Sequence, residues 1–240
     1  MNFEQFSNEI IKTYDIDPDY VFLINYKNEY GEIKTFELFK KKLLIYNLSS
    51  ELLYTDGLIT KKEIKFGNER QKSKNNFTIW ENFLTPLSLD KLKKFQGVDY
   101  LIFKDNFTKI KGMGNWASWK AADILDKVFN IKMIFTEQTF LNAYEYPLKG
   151  LLLLNGEKED VTIYKKNIFL YNKHLKEAQN QAKNVIKNEI FNPNNLLELE
   201  TMLCKYHSYK HNKYKPNDDL KKIRKIKEDA RLKKYHNLLP

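Results

Sequence analysis

Three side chains near the middle of the sequence have the types and spacing that a proton-transfer or phosphate site requires. Lys120, Asp123 and Lys127 lie three and four residues apart, so a helix would place them on one face. With the indole of Trp116 they could line a pocket that stacks a base, holds a phosphate and accepts a proton. The same spacing is typical of a surface ladder of ion pairs, and the spacing alone favours that interpretation.

A glycine turn precedes these residues. Gly112 and Gly114 flank Met113, and Asn115 stands where a helix N-cap is expected. A turn of this kind exposes backbone N–H groups that bind phosphate together with the helix dipole. It predicts either a helix-hairpin-helix element that contacts DNA through Gly112, Gly114 and Asn115, or a helix–helix turn without a ligand. The apolar residues that follow share helical spacing: Ala117, Ala121, Ile124, Leu125 and Val128.

The single cysteine has ionisable neighbours. Glu200 precedes Cys204 by four residues, and Lys205 and His207 follow it closely. A nearby cation favours the nucleophilic thiolate, so Lys205 and His207 are candidates to activate Cys204. A lone cysteine is, however, more often a small buried hydrophobic residue. His207 and His211 have metal-ligand spacing, but no acidic or sulfur third ligand is evident, so we predict neither a metal site nor a cofactor.

A polar segment and a basic segment are candidate binding regions. Residues 60–76 lack helical or strand periodicity, which predicts a loop where Arg70 and Lys74 could grip a phosphate, or an ordinary hydrophilic loop. The net charge of +10 is concentrated in Lys205–Lys234, where twelve Lys or Arg face four Asp or Glu. This block predicts a DNA partner, with Lys221 and Arg224 among the contacts. A solvated lysine-rich face is the alternative.

Capped, 3.6-periodic segments without strand alternation predict a mainly α protein of about nine helices. We expect a single helical domain over residues 1–240, with a basic C-terminal helical segment from about 205. Met133–Phe135 could be extended, a connector is expected from residue 130 through Pro147, and Leu151–Leu154 is ambiguous between helix and strand. Besides the helix after the glycine turn, the predicted helices are 3–14, 19–30, 35–46, one capped by Ser49 or Ser50 and running to Tyr54, 88–95, 99–107, 164–190, 196–209 and one from Asp218. Apolar spacing also resumes over residues 76–84.

Several classes of protein are excluded by composition. One cysteine excludes an internal disulfide framework, and no apolar run reaches the length of a membrane span. The N-terminus lacks the basic and apolar regions of a secretory signal. We therefore expect a cytoplasmic protein without a membrane partner.

Four segments together resemble one family. They are DPDY at Asp17–Tyr20 with LLIYN ending at Asn47, ERQKSK at Glu69–Lys74, GMGNWASWKAADILDKV at Gly112–Val128, and ETMLCKYHSYKHNKYKPNDD at Glu200–Asp219. In this order they resemble the phage α-glutamyl/putrescinyl thymine pyrophosphorylases, also described as amino acid:DNA transferases. Asn47 departs from the aromatic-His expected at that position, and the 69–74 segment has less arginine than expected.

The resemblance implies a DNA-glycosylase-like helical fold and a role in virus-encoded base hypermodification in an infected cell. A 5-hydroxymethyluracil in DNA is first pyrophosphorylated by a kinase, and this class of enzyme displaces pyrophosphate with the amine of an amino acid or polyamine. For that reaction we predict that Arg70 and Lys120 contact the pyrophosphate and that Cys204 adds to C6 of the uracil. The full predicted set is Lys120, Asp123, Glu200 and Cys204 in catalysis, with Arg70, Lys74, Trp116 and Lys205 binding substrate or phosphate.

Two other functions fit the same segments. A helix-hairpin-helix DNA glycosylase needs an activated water or a lysine nucleophile and no amine co-substrate. A non-catalytic DNA-binding module needs only the glycine turn and the basic C-terminal segment. An enzyme of the transferase class is expected to bring Arg70, Trp116, Lys120, Asp123 and Cys204 into one pocket.

Overall fold

The structure is a computed structural model that describes residues 1–12, 18–67, 77–142, 144–187, 192 and 195–240. Within these ranges the chain is mainly helical, which confirms the predicted class. The β pairing found there is one isolated parallel bridge between Asp99 and Ile134. Its Ile134 end lies within Met133–Phe135, the piece for which an extended conformation was one possibility.

Fourteen α-helices occur in the described ranges, and short 3-10 helices cover Lys61–Glu63 and Ala230–Leu238. In chain order the α-helices are α1 Phe3–Lys12, α2 Pro18–Tyr30, α3 Glu32–Ile45, α4 Leu48–Thr55, α5 Phe77–Leu84, α6 Leu89–Lys93, α7 Tyr100–Phe107, α8 Asn115–Phe129, α9 Glu137–Leu141, α10 Glu145–Leu154, α11 Thr162–Lys166, α12 Ile168–Lys183, α13 Leu196–Lys210 and α14 Asp218–Glu228.

Several predicted boundaries change because local capping differs from expectation. Asn47, not Ser49 or Ser50, caps α4, since its side chain accepts a hydrogen bond from the Ser50 N–H at 3.1 Å. The single helix predicted over 164–190 is wrong. It divides at Asn167, whose side chain accepts from the Leu170 N–H and begins α12. Ser88 caps α6 as predicted.

The connector expected through Pro147 is also wrong, because α9 and the first turn of α10 lie within it. Pro147 stands in the first turn of α10, where its missing N–H costs no helical hydrogen bond. The ambiguous Leu151–Leu154 run belongs to the same helix.

The chain forms two compact units, one made of Met1–Asp17 and Phe135–Lys221 and the other of Pro18–Ile134 and Lys222–Pro240. The chain passes between the units at three positions, and the last of these falls within α14. We refer to them as the first and the second unit. The prediction of a single domain over residues 1–240 stays a prediction.

In the first unit, α10 packs closely against α13. Gly150 makes this possible, because a Cβ at that position would lie 2.2 Å from the backbone oxygen of Leu203. The close approach places the middle of α10 beside the middle of α13. Buried aromatic side chains of α1 and α13 complete this part of the core, including an edge-to-face contact of Phe3 with Tyr206.

In the second unit, α8 packs against α2, α3 and α7. The five apolar residues predicted on one face of α8 are all buried: Ala117, Ala121, Ile124, Leu125 and Val128. The C-terminal 3-10 helix packs on α2 and α4, and the Tyr235 hydroxyl donates to Asp56 at 2.8 Å. In the described part of the chain, no helix has both the length and the apolar character needed to cross a membrane.

Candidate active site

The glycine turn joins α7 to α8 as predicted, but its cap differs. Gly114 is the N-cap in extended conformation, and Asn115 is the first helical residue, so the predicted cap at Asn115 is wrong. Gly112 has a φ of 84°, and a Cβ there would lie 2.6 Å from the Trp80 ring. Both the backbone conformation and this contact require glycine. DNA contact through Gly112, Gly114 and Asn115 stays a prediction.

The charged residues of α8 do not form a surface ladder. Asp123 is 1% exposed. Its Oδ1 lies 3.7 Å from the Lys127 ammonium, and its Oδ2 lies 4.0 Å from that of Lys120. The Tyr20 hydroxyl of α2 also donates to Oδ2, at 2.5 Å. The surface interpretation is therefore wrong, because the packing of α2 on α8 removes the carboxylate from solvent.

The two lysines differ in how far they reach toward solvent. The Lys120 side chain is 20% exposed, and its ammonium lies 4.3 Å from the centre of the Tyr20 ring. The Lys127 side chain is only 6% exposed and lies farther from that ring, at 5.6 Å. Within the described residues Asp123 Oδ1 accepts no hydrogen bond. The arrangement thus offers a partly exposed cation beside a buried carboxylate oxygen.

A second buried ion group adjoins these residues. The Lys42 ammonium lies 2.5 Å from Asp19 Oδ2 and 3.9 Å from Glu51 Oε2. Burial lowers the pKa of Lys42, but the two carboxylates outweigh burial and raise the pKa overall, while Lys120 opposes them. Burial raises the pKa of Glu51 to about 8, against the opposing effect of Lys42.

We call these seven residues the charged cluster: Asp19, Tyr20, Lys42, Glu51, Lys120, Asp123 and Lys127.

Trp116 and Trp119 have different environments. Trp119 is buried with its ring 5.0 Å from that of Tyr100. Trp116 is half-buried, and its ring lies 4.7 Å from that of Tyr46. Trp116 is therefore the member of the pair with surface available to a ligand, and its stacking on a base stays a prediction.

In the first unit, Cys204 belongs to a polar cluster. Tyr144 interacts electrostatically with both Glu200 and Cys204. Glu200 is 1% exposed, while Tyr144 and Cys204 are half-buried. Burial raises the pKa of Tyr144 well above its usual value, and Glu200 and Cys204 raise it further.

Lys205 and His207, the two residues predicted to activate Cys204, have contacts with other groups. The Lys205 ammonium donates to Asp219 and stacks over the Tyr214 ring at 4.6 Å. His207 Nε2 lies 2.7 Å from Glu159 Oε2. Among the described residues, Tyr144 is one that interacts with Cys204.

The expectation that the histidine pair lacks an acidic neighbour is wrong. Glu159 lies between the rings, with its second oxygen 2.6 Å from His211 Nε2. Burial raises the pKa of Glu159, but the hydrogen bonds from the two imidazoles outweigh burial and lower it overall.

The predicted site residues fall into two groups. Trp116, Lys120 and Asp123 lie on α8 in the second unit, and Glu200, Cys204 and Lys205 lie on α13 in the first. Arg70 and Lys74 lie outside the described residues, as does the rest of the 69–74 segment. Convergence of all these residues in one pocket stays a prediction.

On α14, Lys221 and Arg224 are exposed while Ile223 and Ile226 are buried. Lys221 also forms an ion pair with Asp218 at 2.9 Å. The helix thus presents its basic residues to solvent, and the predicted DNA contact is open to test.

Sequence reasoning assigned no role to Tyr20, Lys42, Tyr144 or Glu159. The sequence did contain an indication of a role for Tyr20, because this residue ends the DPDY segment. Tyr144 and Glu159 had none, since each lies more than forty residues from its partner on α13.

A comparison with protein families matches residues 59–214, about two thirds of the chain, to the family described as amino acid:DNA transferase. The matched region contains α8, Tyr144, Glu159 and the whole of α13. No curated protein matches the chain. Members of the matched family are transferases that act on DNA with an amino acid as co-substrate, and this chain belongs to the amino acid:DNA transferase family.

Proposed function

We propose that the protein transfers the amine of an amino acid or polyamine onto a pyrophosphorylated 5-hydroxymethyluracil in phage DNA and releases pyrophosphate. Membership of the amino acid:DNA transferase family supports the transfer to DNA. The observation that carries the finer proposal is the interaction of Tyr144 with both Cys204 and Glu200. It gives the thiol a route to lose its proton, which a nucleophile requires.

The first step uses this route. The Cys204 thiol passes its proton to the oxygen of Tyr144 while Tyr144 passes its own proton to Glu200. The thiolate then forms a C–S bond with C6 of the uracil. The electron pair of the C5–C6 double bond moves into the ring and forms an enolate. This addition is easier than a direct displacement at the methylene.

The enolate then expels the leaving group. Its electrons return toward C5, the bond from the methylene to the pyrophosphate oxygen breaks, and an exocyclic methylene remains. The incoming amine forms a bond with this methylene and regenerates the enolate. The amine loses one proton to a carboxylate, and the enolate expels the thiolate from C6, which restores the C5–C6 double bond.

We propose two further roles in this reaction for residues of the charged cluster. The partly exposed ammonium of Lys120 offsets the charge that grows on the departing pyrophosphate. The Asp123 carboxylate, held by Tyr20 at one oxygen, is the base for the amine proton. Trp116 stacks on the base, and exposed lysines of α14 hold the DNA backbone.

The test is mass spectrometry of nucleosides from DNA that carries 5-pyrophosphoryloxymethyluracil, incubated with the protein and mixed amino acids and polyamines. The expected product is a thymine with an amine on its 5-methyl carbon, formed together with one equivalent of pyrophosphate. Free base and an abasic site would instead indicate a glycosylase. Unchanged DNA with tight binding would indicate a non-catalytic binding module.

A further inference from the structure

We propose that Glu159, His207 and His211 form a binding site for one divalent transition-metal ion with the ligand preference of zinc. The three residues lie in the first unit and none of them has a role in the reaction proposed above. Their three ligand atoms all lie within 4.8 Å of one another.

The ligand types fit an ion of this class. Two imidazoles and one carboxylate are a common protein ligand set for zinc sites that keep an open coordination position. His207 and His211 are four residues apart on α13, so successive helical turns present both rings on one face. Their ring centres are 4.6 Å apart, and Glu159 reaches both Nε2 atoms from the loop between α10 and α11.

The metal-free geometry needs only a small adjustment. Glu159 Oε2 lies 2.7 Å from His207 Nε2, and Oε1 lies 2.6 Å from His211 Nε2. Ligands about 2.0–2.1 Å from a tetrahedral ion are separated by about 3.3 Å. Each oxygen–nitrogen pair therefore has to open by about 0.6–0.7 Å, which a loop carboxylate can accommodate.

The surrounding side chains hold the His207 ring in place and leave the His211 ring accessible to solvent. The His207 side chain is 4% exposed, and its ring packs edge-to-face against Tyr146. The His211 side chain is 40% exposed and leaves the site open to solvent on one side. The nearby Lys149 ammonium is paired with Glu145 at 2.8 Å, which reduces its repulsion of a bound cation.

The experiment measures metal binding to the full chain, independently of activity. Chelator-treated protein is titrated with Zn²⁺ in competition with a chromogenic chelator, and Co²⁺ is used as a spectroscopic substitute. We expect one equivalent of Zn²⁺ per chain, and visible Co²⁺ bands of a low-coordinate nitrogen and oxygen site. His211→Ala and Glu159→Gln should each weaken binding at least about 10-fold, because each removes one of three ligands.

Two variants serve as matched controls. Glu157→Gln changes an exposed carboxylate of the same loop, and His236→Ala changes a histidine of the second unit. Both should bind Zn²⁺ as the unchanged protein does. A chain that binds no Zn²⁺, or His211→Ala and Glu159→Gln variants that bind it with unchanged affinity and circular dichroism, would show that the three residues form only a hydrogen-bonded group.

Discussion

The Tyr20 hydroxyl donates a 2.5 Å hydrogen bond to Oδ2 of Asp123, although 103 residues separate the two in sequence. The contact joins α2 to α8 and fixes the orientation of a carboxylate that is 1% exposed. The other oxygen of Asp123 faces Lys127 at 3.7 Å. Tyr20 therefore sets the position from which Asp123 could accept a proton.

Asp123→Asn should lower turnover at least about 100-fold, because an amide cannot act as a general base. Tyr20→Phe should have a smaller effect, about 10-fold, since it removes the positioning hydrogen bond but keeps the carboxylate. The measurement is the initial rate of modified nucleoside formation, with DNA affinity and melting temperature as controls. Full turnover of Asp123→Asn would remove Asp123 from the mechanism.

Lys120→Gln and Lys127→Gln form a pair that separates catalysis from stability. Lys120→Gln should lower turnover at least about 100-fold with little change in DNA affinity, because it removes a cation that stabilises the leaving pyrophosphate. Lys127→Gln, at the more deeply buried partner of Asp123, should mainly lower the free energy of unfolding, by about 1–3 kcal/mol. Denaturant titration and product formation are measured for both variants. If Lys120→Gln lowers DNA affinity as much as turnover, Lys120 is a backbone contact.

Cys204→Ser and Cys204→Ala should both lower turnover at least about 100-fold if the thiolate attacks C6, since a serine hydroxyl is a much weaker nucleophile at neutral pH. A cysteine that only fills space would tolerate alanine. Full activity in both variants would leave direct displacement by the amine as the mechanism.

Tyr144→Phe breaks the proposed proton path between Cys204 and Glu200 and leaves both ends in place. Its turnover should fall most near pH 6–7 and recover as the pH approaches about 8.5, where an ordinary thiol ionises without help. The pH profile of the rate is compared with that of the unchanged protein. Profiles that are parallel at all pH values would limit Tyr144 to packing.

Binding to DNA should weaken steeply as salt concentration rises, because cations on the protein replace condensed counterions on the phosphates. Replacing both Lys221 and Arg224 with Gln should reduce the slope of log K against log salt by about 0.9 for each phosphate that the variant no longer neutralises. Fluorescence anisotropy with duplex and single-stranded DNA measures both quantities. An affinity that does not change between low and moderate salt would make the basic segment a solvated face only.

The raised pKa of Glu51 predicts that the free energy of unfolding depends on pH. Burial raises its pKa from 4.5 to about 8 in the folded chain. Between those values the folded state keeps a proton that the unfolded state has released, so unfolding releases a proton and the free energy of unfolding falls as the pH rises. Glu51→Gln should flatten the profile from roughly pH 5 to pH 8. Urea titrations across this range compare the two proteins, and parallel profiles would contradict the raised pKa.

The local pattern of the sequence was enough to predict the helical class, the buried face of α8 and the cap at Ser88. These features depend on residues within one or two turns of each other, where periodicity and capping act directly. The same reasoning failed at Asn167, because one side chain that caps the next helix interrupts an otherwise continuous helical pattern. It also failed at α4, where Asn47 competes with two neighbouring serines for the same role.

The tertiary structure decided the environments of the chemical groups. Spacing placed Lys120, Asp123 and Lys127 on one face, but only the packing of α2 on α8 buried Asp123 and supplied Tyr20. The sequence likewise placed His207 and His211 one turn apart without indicating Glu159, and gave Cys204 no tyrosine. Helical periodicity specifies which residues share a face, whereas burial and long-range partners depend on which helices pack against that face.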